Sequence, residues 1–301
     1  MKRTSNLLLV LLAVILTACG GTSRTVPVTG RKQTVYSDNA TFLSQSLTEY
    51  SSYVKSAKLS TNANNTAMVR RVGQRLANAV ETYLKNNGYA DEVRNYNWEF
   101  NLVQDKQANA FCMPGGKIVV YEGLLPITQT EPALAIVLGH EIAHAVAYHS
   151  SEQYQNEIKK QTIGQIGGAV LSAAGMGVNT ANTISQLYGL GSQMATLKYS
   201  RGHETEADHI GLIFAAMAGY DPNEAVTFWQ RMAQSGGSGT PTWLSTHPSD
   251  AQRIANINKL LPEAMKYYNA AKGNTTTTTT KKKTTKSTAK TPKTSGTFRV
   301  K

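Results

Sequence analysis

The sequence predicts a mostly α-helical domain with one small β-sheet, an α+β fold. Apolar residues recur at helical spacing in several long segments, which indicates amphipathic helices. Two short segments have the alternation or the β-branched run typical of strands, and Pro114-Gly115-Gly116 between them is typical of a turn. No internal repeat is present, so residues 19–271 are predicted to form a single domain.

The first half of this domain is predicted to contain two helices followed by two strands. Apolar residues at helical spacing mark both helices: Phe42, Leu43, Leu47, Tyr50 and Val54 in the first, and Val69, Val72, Leu76 and Val80, within about 67–84, in the second. Trp98, Phe100 and Leu102 alternate with polar neighbours, and residues 117–121 form a β-branched run. Together with the turn between them, these segments predict a hairpin or small sheet.

The second half is predicted to be helical. A long apolar helix begins at Pro132, a residue favoured in the first helical turn, and ends at about Tyr148. Three more helices are predicted: one over about 203–218, one from the capping box Asp221-Pro222-Asn223-Glu224, and one from the capping box Ser249-Asp250-Ala251-Gln252. Residues 163–191 are rich in Gly and Ala. The apolar stretch 163–178 is too short to predict a membrane span, so we expect a buried helix or a cover near the site, with lipid contact as the alternative.

The two ends of the chain are predicted to lie outside the domain. Lys2-Arg3, the apolar residues 7–16 and Leu16-Thr17-Ala18-Cys19 resemble a bacterial lipoprotein signal, in which residues 1–18 are removed and Cys19 receives lipid. An ordinary secretory signal, or a short helix that stays in place, is the alternative. Residues 272–301 are nearly all polar or small, so they are predicted to be a disordered Thr/Lys-rich tail.

The net charge of +12 comes almost entirely from these two ends. Nine Lys or Arg and no acid lie in residues 272–301, and two basic residues lie in the signal, so the domain is near neutral. This distribution does not predict nucleic-acid binding, and the tail is interpreted as solvated. If Cys19 is lipidated, Cys112 has no disulfide partner within the chain, and we predict a buried, inert thiol there.

The predicted helix from Pro132 contains the motif His140-Glu141-Ile142-Ala143-His144. A spacing of four places both imidazoles on one face, one turn apart, where each can offer a nitrogen to the same metal ion. Glu141 lies beside them and can act as a general base for water. The motif predicts a zinc site that needs a third ligand from elsewhere in the chain.

A second helix offers that ligand. The segment Ser200-Arg201-Gly202-His203-Glu204-Thr205-Glu206-Ala207-Asp208 places Glu204 and Asp208 one turn apart. Glu204 can bind the metal, and Asp208 can accept a hydrogen bond from one of the metal-binding imidazoles. His203 and His209 are rival ligands, and a solvated acidic helix face, extended by Glu206, is the alternative to any site.

These motifs resemble the gluzincin metallopeptidase family 48, which includes HtpX-type, CAAX prenyl protease and Oma-type members. The resemblance rests first on the two segments just described. Residues 109–120 are similar to the strand before the zinc helix of that family, and Thr246-His247-Pro248 with Arg253 is similar to its late His-Pro element. The segment Pro27-Val28-Thr29-Gly30-Arg31 resembles sequence from the periplasmic lipoprotein branch of that family. Over about residues 25–262, the resemblance implies a zincin-type fold with the zinc site between the H-E-x-x-H helix and a Glu-bearing helix.

The resemblance also implies roles for individual residues. His140, His144 and Glu204, in preference to His203, would bind one Zn²⁺ per chain, and Glu141 would be the base. His247 and Arg253 would face the scissile carbonyl and stabilise its oxyanion. Without the resemblance, His247 is interpreted as a residue at the start of a helix and Arg253 as an exposed helix cation. A further expectation is that the residues Asn109, Ile118, Val119 and Val120 bind the substrate backbone as an added strand.

The function predicted from these features is zinc-dependent endopeptidase activity in the bacterial cell envelope. The enzyme would be anchored to a membrane through lipid on Cys19, would face the periplasm, and would cut protein or peptide substrates, namely misfolded or misassembled envelope proteins. No nucleic-acid partner is expected. Two alternatives stay open: a binding or chaperone-like lipoprotein that has lost hydrolysis, which the intact Glu141 and Glu204 oppose, and a cell-wall hydrolase that acts on peptidoglycan stem peptides.

Overall fold

The computed structural model describes residues 21–36, 39–156, 199–234, 243, 247 and 251–273. The predicted signal peptide of residues 1–18, the lipidation site Cys19, the Gly-rich residues 163–191, the capping residue Ser249 and the tail beyond residue 273 lie outside these described residues. What was expected of them therefore stays a prediction. Among the helices that are described, none combines the length and the apolar character that a membrane span requires.

The described chain begins with a two-stranded hairpin that the sequence pattern does not predict. Strand β1 (Gly21–Thr25) pairs antiparallel with β2 (Lys32–Tyr36), and Thr25 lies opposite Lys32. In the turn between them, Val28 and Gly30 have positive φ angles of 68° and 70°. A β-branched residue rarely adopts this conformation, and here the backbone N–H of Val28 donates to Tyr83 Oη over 3.0 Å. We call residues 26–31 the hairpin turn.

Two helices follow, as predicted. They are α1 (Asn39–Ser56) and α2 (Ala63–Asn86). Helix α2 begins earlier than its apolar pattern indicates because the side chain of Asn62 accepts the backbone N–H of Asn65 over 3.0 Å and caps the helix. Its buried face, which includes Val72 and Leu76, packs into the main hydrophobic core.

The predicted small sheet has three strands, β3 (Glu99–Val103), β4 (Ala110–Met113) and β5 (Lys117–Tyr121), in the order β3-β5-β4. Strand β5 runs parallel to β3 and antiparallel to β4. The turn between β4 and β5 contains Gly115 and Gly116, whose φ angles of 87° and 77° favour glycine. The turn at residues 114–116 was therefore predicted correctly.

The sheet order corrects the predicted substrate strand. Both backbone edges of β5 are paired, and Ile118, Val119 and Val120 have no exposed surface. The prediction that a substrate strand adds beside these three residues is wrong, because their backbone groups already bond to β3 and β4. Asn109, just before β4, is also buried, and its carbonyl accepts the backbone N–H of Tyr121 over 3.0 Å.

Helices make up most of the remaining described chain, which confirms the mostly α-helical prediction. They are the short α3 (Leu125–Thr128), α4 (Glu131–Val146), α5 (Arg201–Met217), α6 (Glu224–Gln234) and α7 (Ala251–Ala271). Residues 149–156 are also helical. Helix α4 begins near the predicted residue because Thr130 Oγ1 accepts the N–H of Ala133 over 3.2 Å. Helix α6 begins after Pro222 rather than before it, because the Asp221 side chain accepts the N–H of Asn223 over 2.9 Å and forms a turn first.

Helix α4 lies at the centre of the domain. Every residue from Ala133 to Val146 is buried, as expected of a helix that is packed on all sides. Helices α4 and α5 touch backbone to backbone where Gly139 faces Gly211: a Cβ atom at residue 211 would lie 2.6 Å from the backbone nitrogen of His140. This close contact fixes the distance between the two helices that carry the predicted metal ligands.

Candidate metal centre

Four buried side chains from separate parts of the chain converge in the interior. His140 and His144 lie one turn apart on α4, Glu204 lies in the first turn of α5, and His247 lies between α6 and α7. The Nε2 atoms of His140 and His144 are 3.0 Å apart, and each lies 3.5 Å from an oxygen of Glu204. One ligand atom from each of the four residues lies within 4.8 Å of the others. The structure thus brings together the three predicted ligands and adds His247.

The second nitrogen of each α4 imidazole has a partner of its own. His140 Nδ1 lies 2.9 Å from Asp208 Oδ1, the partner expected from the sequence. His144 Nδ1 lies 2.9 Å from Nδ1 of His149, and the ring of Tyr199 stacks on His144 with centroids 3.9 Å apart. These contacts fix the ring orientations and leave both Nε2 atoms directed at the same point.

The donor set fits a zinc ion. Tetrahedral zinc with ligand distances of about 2.0–2.2 Å holds its ligand atoms roughly 3.3–3.6 Å apart, close to the observed 3.0 and 3.5 Å. Glu204 Oε1 is buried and has no hydrogen-bond partner among the described residues, so a cation at this point would satisfy it. Two imidazoles and one carboxylate are a ligand set that catalytic zinc sites use.

The electrostatics also favour a cation. Burial opposes protonation of His140, but hydrogen bonds to Asp208 and Glu204 outweigh it and raise its pKa to about 9. Burial likewise opposes ionisation of Glu204, yet the two α4 imidazoles hold its pKa well below the usual range. Burial lowers the pKa of His247 to about 3. A proton on His140 therefore balances the Glu204 charge in the metal-free protein, and a metal ion can take its place.

Glu141 lies next to the ligands on α4 and is almost fully buried. Trp243 Nε1 donates to Glu141 Oε1 over 2.7 Å, and His247 Nε2 lies 3.7 Å from the same oxygen. Burial raises the pKa of Glu141 to about 7, against the opposing effects of His140 and of the Trp243 hydrogen bond. A carboxyl group with a pKa near neutrality can take up and return a proton at physiological pH.

Arg253, on α7, contacts the Glu204 helix. Its Nη1 donates to Glu204 Oε2 over 3.1 Å, and its Nη2 donates to Asp208 Oδ1 over 2.7 Å. The guanidinium lies over the Trp229 ring, 3.7 Å from its centroid. The resemblance implies that Arg253 faces the scissile carbonyl. In the structure its two terminal nitrogens donate to Glu204 and Asp208. The role of Arg253 toward the carbonyl stays a prediction.

The rival ligands lie elsewhere. His203 Nε2 lies 3.6 Å from Glu152, and His209 Nε2 lies 2.8 Å from Glu263, so neither ring nitrogen belongs to the converging group. This arrangement supports Glu204 over both histidines as the third ligand. Cys112 is buried, as predicted, and burial raises the pKa of its thiol well above the usual value.

Three residues around the ligands were not predicted: His149, Tyr199 and Trp243. Trp243 precedes His247 by four residues, so helical spacing could have singled it out, whereas His149 follows His144 by five residues and lies beyond the end of α4, where this spacing gives no signal. Tyr199 immediately precedes the capping residue Ser200 and carries no such signal.

Comparison with known proteins identifies the relatives of the chain. A family profile described as "Peptidase family M48" matches residues 63–261. The mitochondrial metalloendopeptidase OMA1 of Schizosaccharomyces pombe is 41% identical over 169 residues, 56% of this chain and 48% of that protein. The human metalloendopeptidase OMA1, mitochondrial, is 31% identical over 80% of this chain and 46% of that protein. The beta-barrel assembly-enhancing protease of Yersinia pestis is 33% identical over 56% of this chain and 36% of that protein.

Two facts follow from these matches. The chain spans about half the length, or less, of the curated relatives that it matches. The predicted location in a bacterial cell envelope, facing the periplasm, is contradicted. Relatives named mitochondrial reach 41% identity in one case and cover 80% of this chain in another, whereas the relative from Yersinia pestis is 33% identical over 56% of this chain.

Proposed function

The chain belongs to peptidase family M48, so its domain is a metallopeptidase domain, and we propose that it is a zinc-dependent endopeptidase in which Glu141 is the general base. The observation that carries this proposal is the convergence of His140, His144 and Glu204 beside a buried carboxyl group that titrates near neutrality. The intact base also opposes the alternative of a protein that only binds its partners.

The ligands and the base have separate parts in the proposed reaction. His140, His144 and Glu204 would hold one zinc ion, which supplies Lewis-acid chemistry: it polarises a carbonyl oxygen and lowers the pKa of water to about 7. Glu141 accepts the proton of the attacking water and returns it to the leaving amine. Trp243 binds one oxygen of Glu141 and holds the carboxylate in place, which leaves the other oxygen for this proton.

Two further residues support the reaction. His247 is neutral near pH 7 because burial lowers its pKa to about 3, so it would meet the developing oxyanion as a neutral imidazole rather than as a cation. Its Nδ1 lies 3.3 Å from the carbonyl of Trp243, and donation to the oxyanion requires the tautomer that carries the ring proton on Nε2. Arg253 orients Glu204 and Asp208 through the two ion pairs described above. Loss of Arg253 would leave two buried carboxylates without their shared cation.

The proposed substrates are misfolded or misassembled proteins. Support comes from the Yersinia pestis relative, whose name describes a protease that enhances β-barrel assembly. An unfolded segment can present an extended backbone to the edge strand β4, which within the described chain pairs only with β5. Recognition of backbone rather than side chains would tolerate many sequences.

Cleavage of casein by the full chain tests the proposal. We expect cleavage that a zinc chelator abolishes and that added zinc restores. Cleavage that is insensitive to the chelator would contradict the metallopeptidase mechanism. A separate assay tests the substrate class with a stably folded protein other than casein, offered in its native and in its denatured form. Faster cleavage of the denatured form supports misfolded proteins as substrates, and equal cleavage of both forms contradicts it.

A further inference from the structure

The two α4 imidazoles differ in what holds them. His140 Nδ1 faces a carboxylate, the common arrangement for a metal-binding histidine. His144 Nδ1 faces a second imidazole, His149, at 2.9 Å. Two imidazole nitrogens can form a hydrogen bond only if one carries a proton and the other does not. The direction of this bond therefore decides which nitrogen of His144 is left with a lone pair.

Glu206 determines that direction. Its Oε2 lies 2.9 Å from His149 Nε2, and the His149 side chain has no exposed surface. Arg31 Nε donates to the same Oε2 and forms an ion pair with it, so Glu206 is a carboxylate that can only accept from His149. The fully buried His149 is a neutral imidazole there, because the Arg31 cation already balances Glu206. The single ring proton of His149 must then lie on Nε2, which leaves Nδ1 as an acceptor. His144 consequently donates from Nδ1 and keeps its Nε2 lone pair for the metal.

The hairpin turn holds Glu206 in place. Thr29 Oγ1 donates to Glu206 Oε1 over 2.6 Å, and Arg31 Nε donates to Glu206 Oε2 over 2.8 Å. Arg31 also donates two hydrogen bonds, of 3.1 and 2.9 Å, to Glu152, in the helical residues 149–156 that begin with His149. Both Thr29 and Arg31 precede residues 63–261, the part of the chain that the family profile matches.

We propose that the hairpin turn is part of the metal centre: through Glu206 and His149 it sets the tautomer and the orientation of His144. Glu206 and His149 are thus positioning residues, and the relay runs from Thr29 and Arg31 to Glu206, His149 and His144. Stacking of Tyr199 fixes the plane of the His144 ring, and the relay fixes which nitrogen faces the metal. This proposal rests on the proposed function, because it assumes that His144 binds zinc.

The metal-free full chain tests the relay without any variant. Nitrogen chemical shifts of the histidine rings, measured by NMR with ¹⁵N-labelled histidine, report which nitrogen carries the proton. We expect His144 to be protonated on Nδ1 and His149 on Nε2. A His144 ring protonated on Nε2 with a bare Nδ1 would overturn the proposal, whether or not the protein binds zinc or cleaves substrate.

Variants of His149 test its effect on zinc. His149→Phe keeps a ring but removes the acceptor, so zinc affinity, measured by competition with a chromophoric chelator, should fall about 10- to 100-fold. His149→Asn places an amide oxygen near the position of Nδ1 and should recover most of that loss. Equal affinities for the wild type and His149→Phe would overturn the proposal, and so would equal losses in the two variants.

Arg24 provides a matched control for the hairpin turn. It also anchors the hairpin, through hydrogen bonds of 2.8 Å to Glu92 and to the carbonyl of Val146, but it does not touch Glu206. We expect Arg31→Met to lower zinc affinity at least about 10-fold and Arg24→Met to lower only the thermal stability. Equal zinc affinities in Arg31→Met and Arg24→Met would overturn the proposal, because the hairpin would then have a structural role alone.

Discussion

Replacing Gly211 with alanine is predicted to separate the two helices that carry the metal ligands. A Cβ atom at residue 211 would lie 2.6 Å from the backbone nitrogen of His140 and 2.8 Å from the carbonyl oxygen of Gly139. These are backbone atoms of α4, so they cannot rotate away. An ordinary contact begins at 3.4 Å, which means that α5 must move by about 0.8 Å relative to α4.

That displacement acts directly on the metal centre. Glu204 lies on α5, and its oxygens are 3.5 Å from the Nε2 atoms of His140 and His144 on α4. We expect Gly211→Ala to lower the free energy of unfolding by about 1–3 kcal/mol, the usual result of overpacking. Zinc affinity should fall about 10- to 100-fold, because a misplacement of this size costs that much at a site built from two elements.

A second glycine of α5 gives the control. At Gly202 an added Cβ would meet only the Ser200 side chain, at 3.7 Å, so Gly202→Ala should retain zinc affinity and gain up to about 1 kcal/mol of stability. Urea unfolding of the metal-free proteins and chelator competition for zinc measure both quantities. Gly139→Ala, whose Cβ would lie 2.7 Å from the carbonyl oxygen of Gly211, should repeat the Gly211→Ala result. If Gly211→Ala and Gly139→Ala both have the stability and the zinc affinity of the wild type, the reasoning is refuted.

Two other predictions concern single side chains. His247→Ala should lower kcat about 100- to 1,000-fold while zinc content is retained, as expected for an oxyanion donor; loss of zinc in this variant would show that His247 is a ligand instead. Burial opposes ionisation of Glu152, but hydrogen bonds from His203, Arg31 and Gln33 hold the pKa of Glu152 well below its usual value. The ionised Glu152 therefore stabilises the fold above the unfolded pKa of 4.5, and this stabilisation is lost as the pH falls. The free energy of unfolding should therefore decrease less between about pH 6 and pH 3 in Glu152→Gln than in the wild type, and equal decreases would contradict the assignment.

The parts of the structure that could be predicted from the sequence are those with a local signal. The spacing of His140 and His144 places both rings on one helix face wherever that helix lies. Glu204 and Asp208 follow from the same spacing on a second helix. The turn at residues 114–116 likewise follows from its two glycines, because each adopts a positive φ.

The parts that could not be predicted depend on pairings between distant residues. The sequence predicts that the segment around Phe100 and residues 117–121 share a hairpin or small sheet, but β4 forms the hairpin with β5, and β3 therefore pairs with the other edge of β5 in parallel. The relay behind His144 joins His149 to Glu206 across 57 positions and Glu206 to Thr29 across 177. Only the folded chain shows that these side chains meet. The hydrogen bonds from Arg253 to Glu204 and to Asp208 likewise join residues that are distant in the sequence.

The measurement that tests the central claim most directly compares casein cleavage by the wild type and by Glu141→Gln, with the zinc content of both proteins determined. Glutamine keeps the shape of the side chain but cannot accept the proton of water. We predict chelator-sensitive cleavage by the wild type, a loss of about 10²- to 10⁴-fold in the variant, and about one zinc per chain in both. Cleavage by the variant at the wild-type rate, or a well-folded wild type that binds no zinc, would contradict the account.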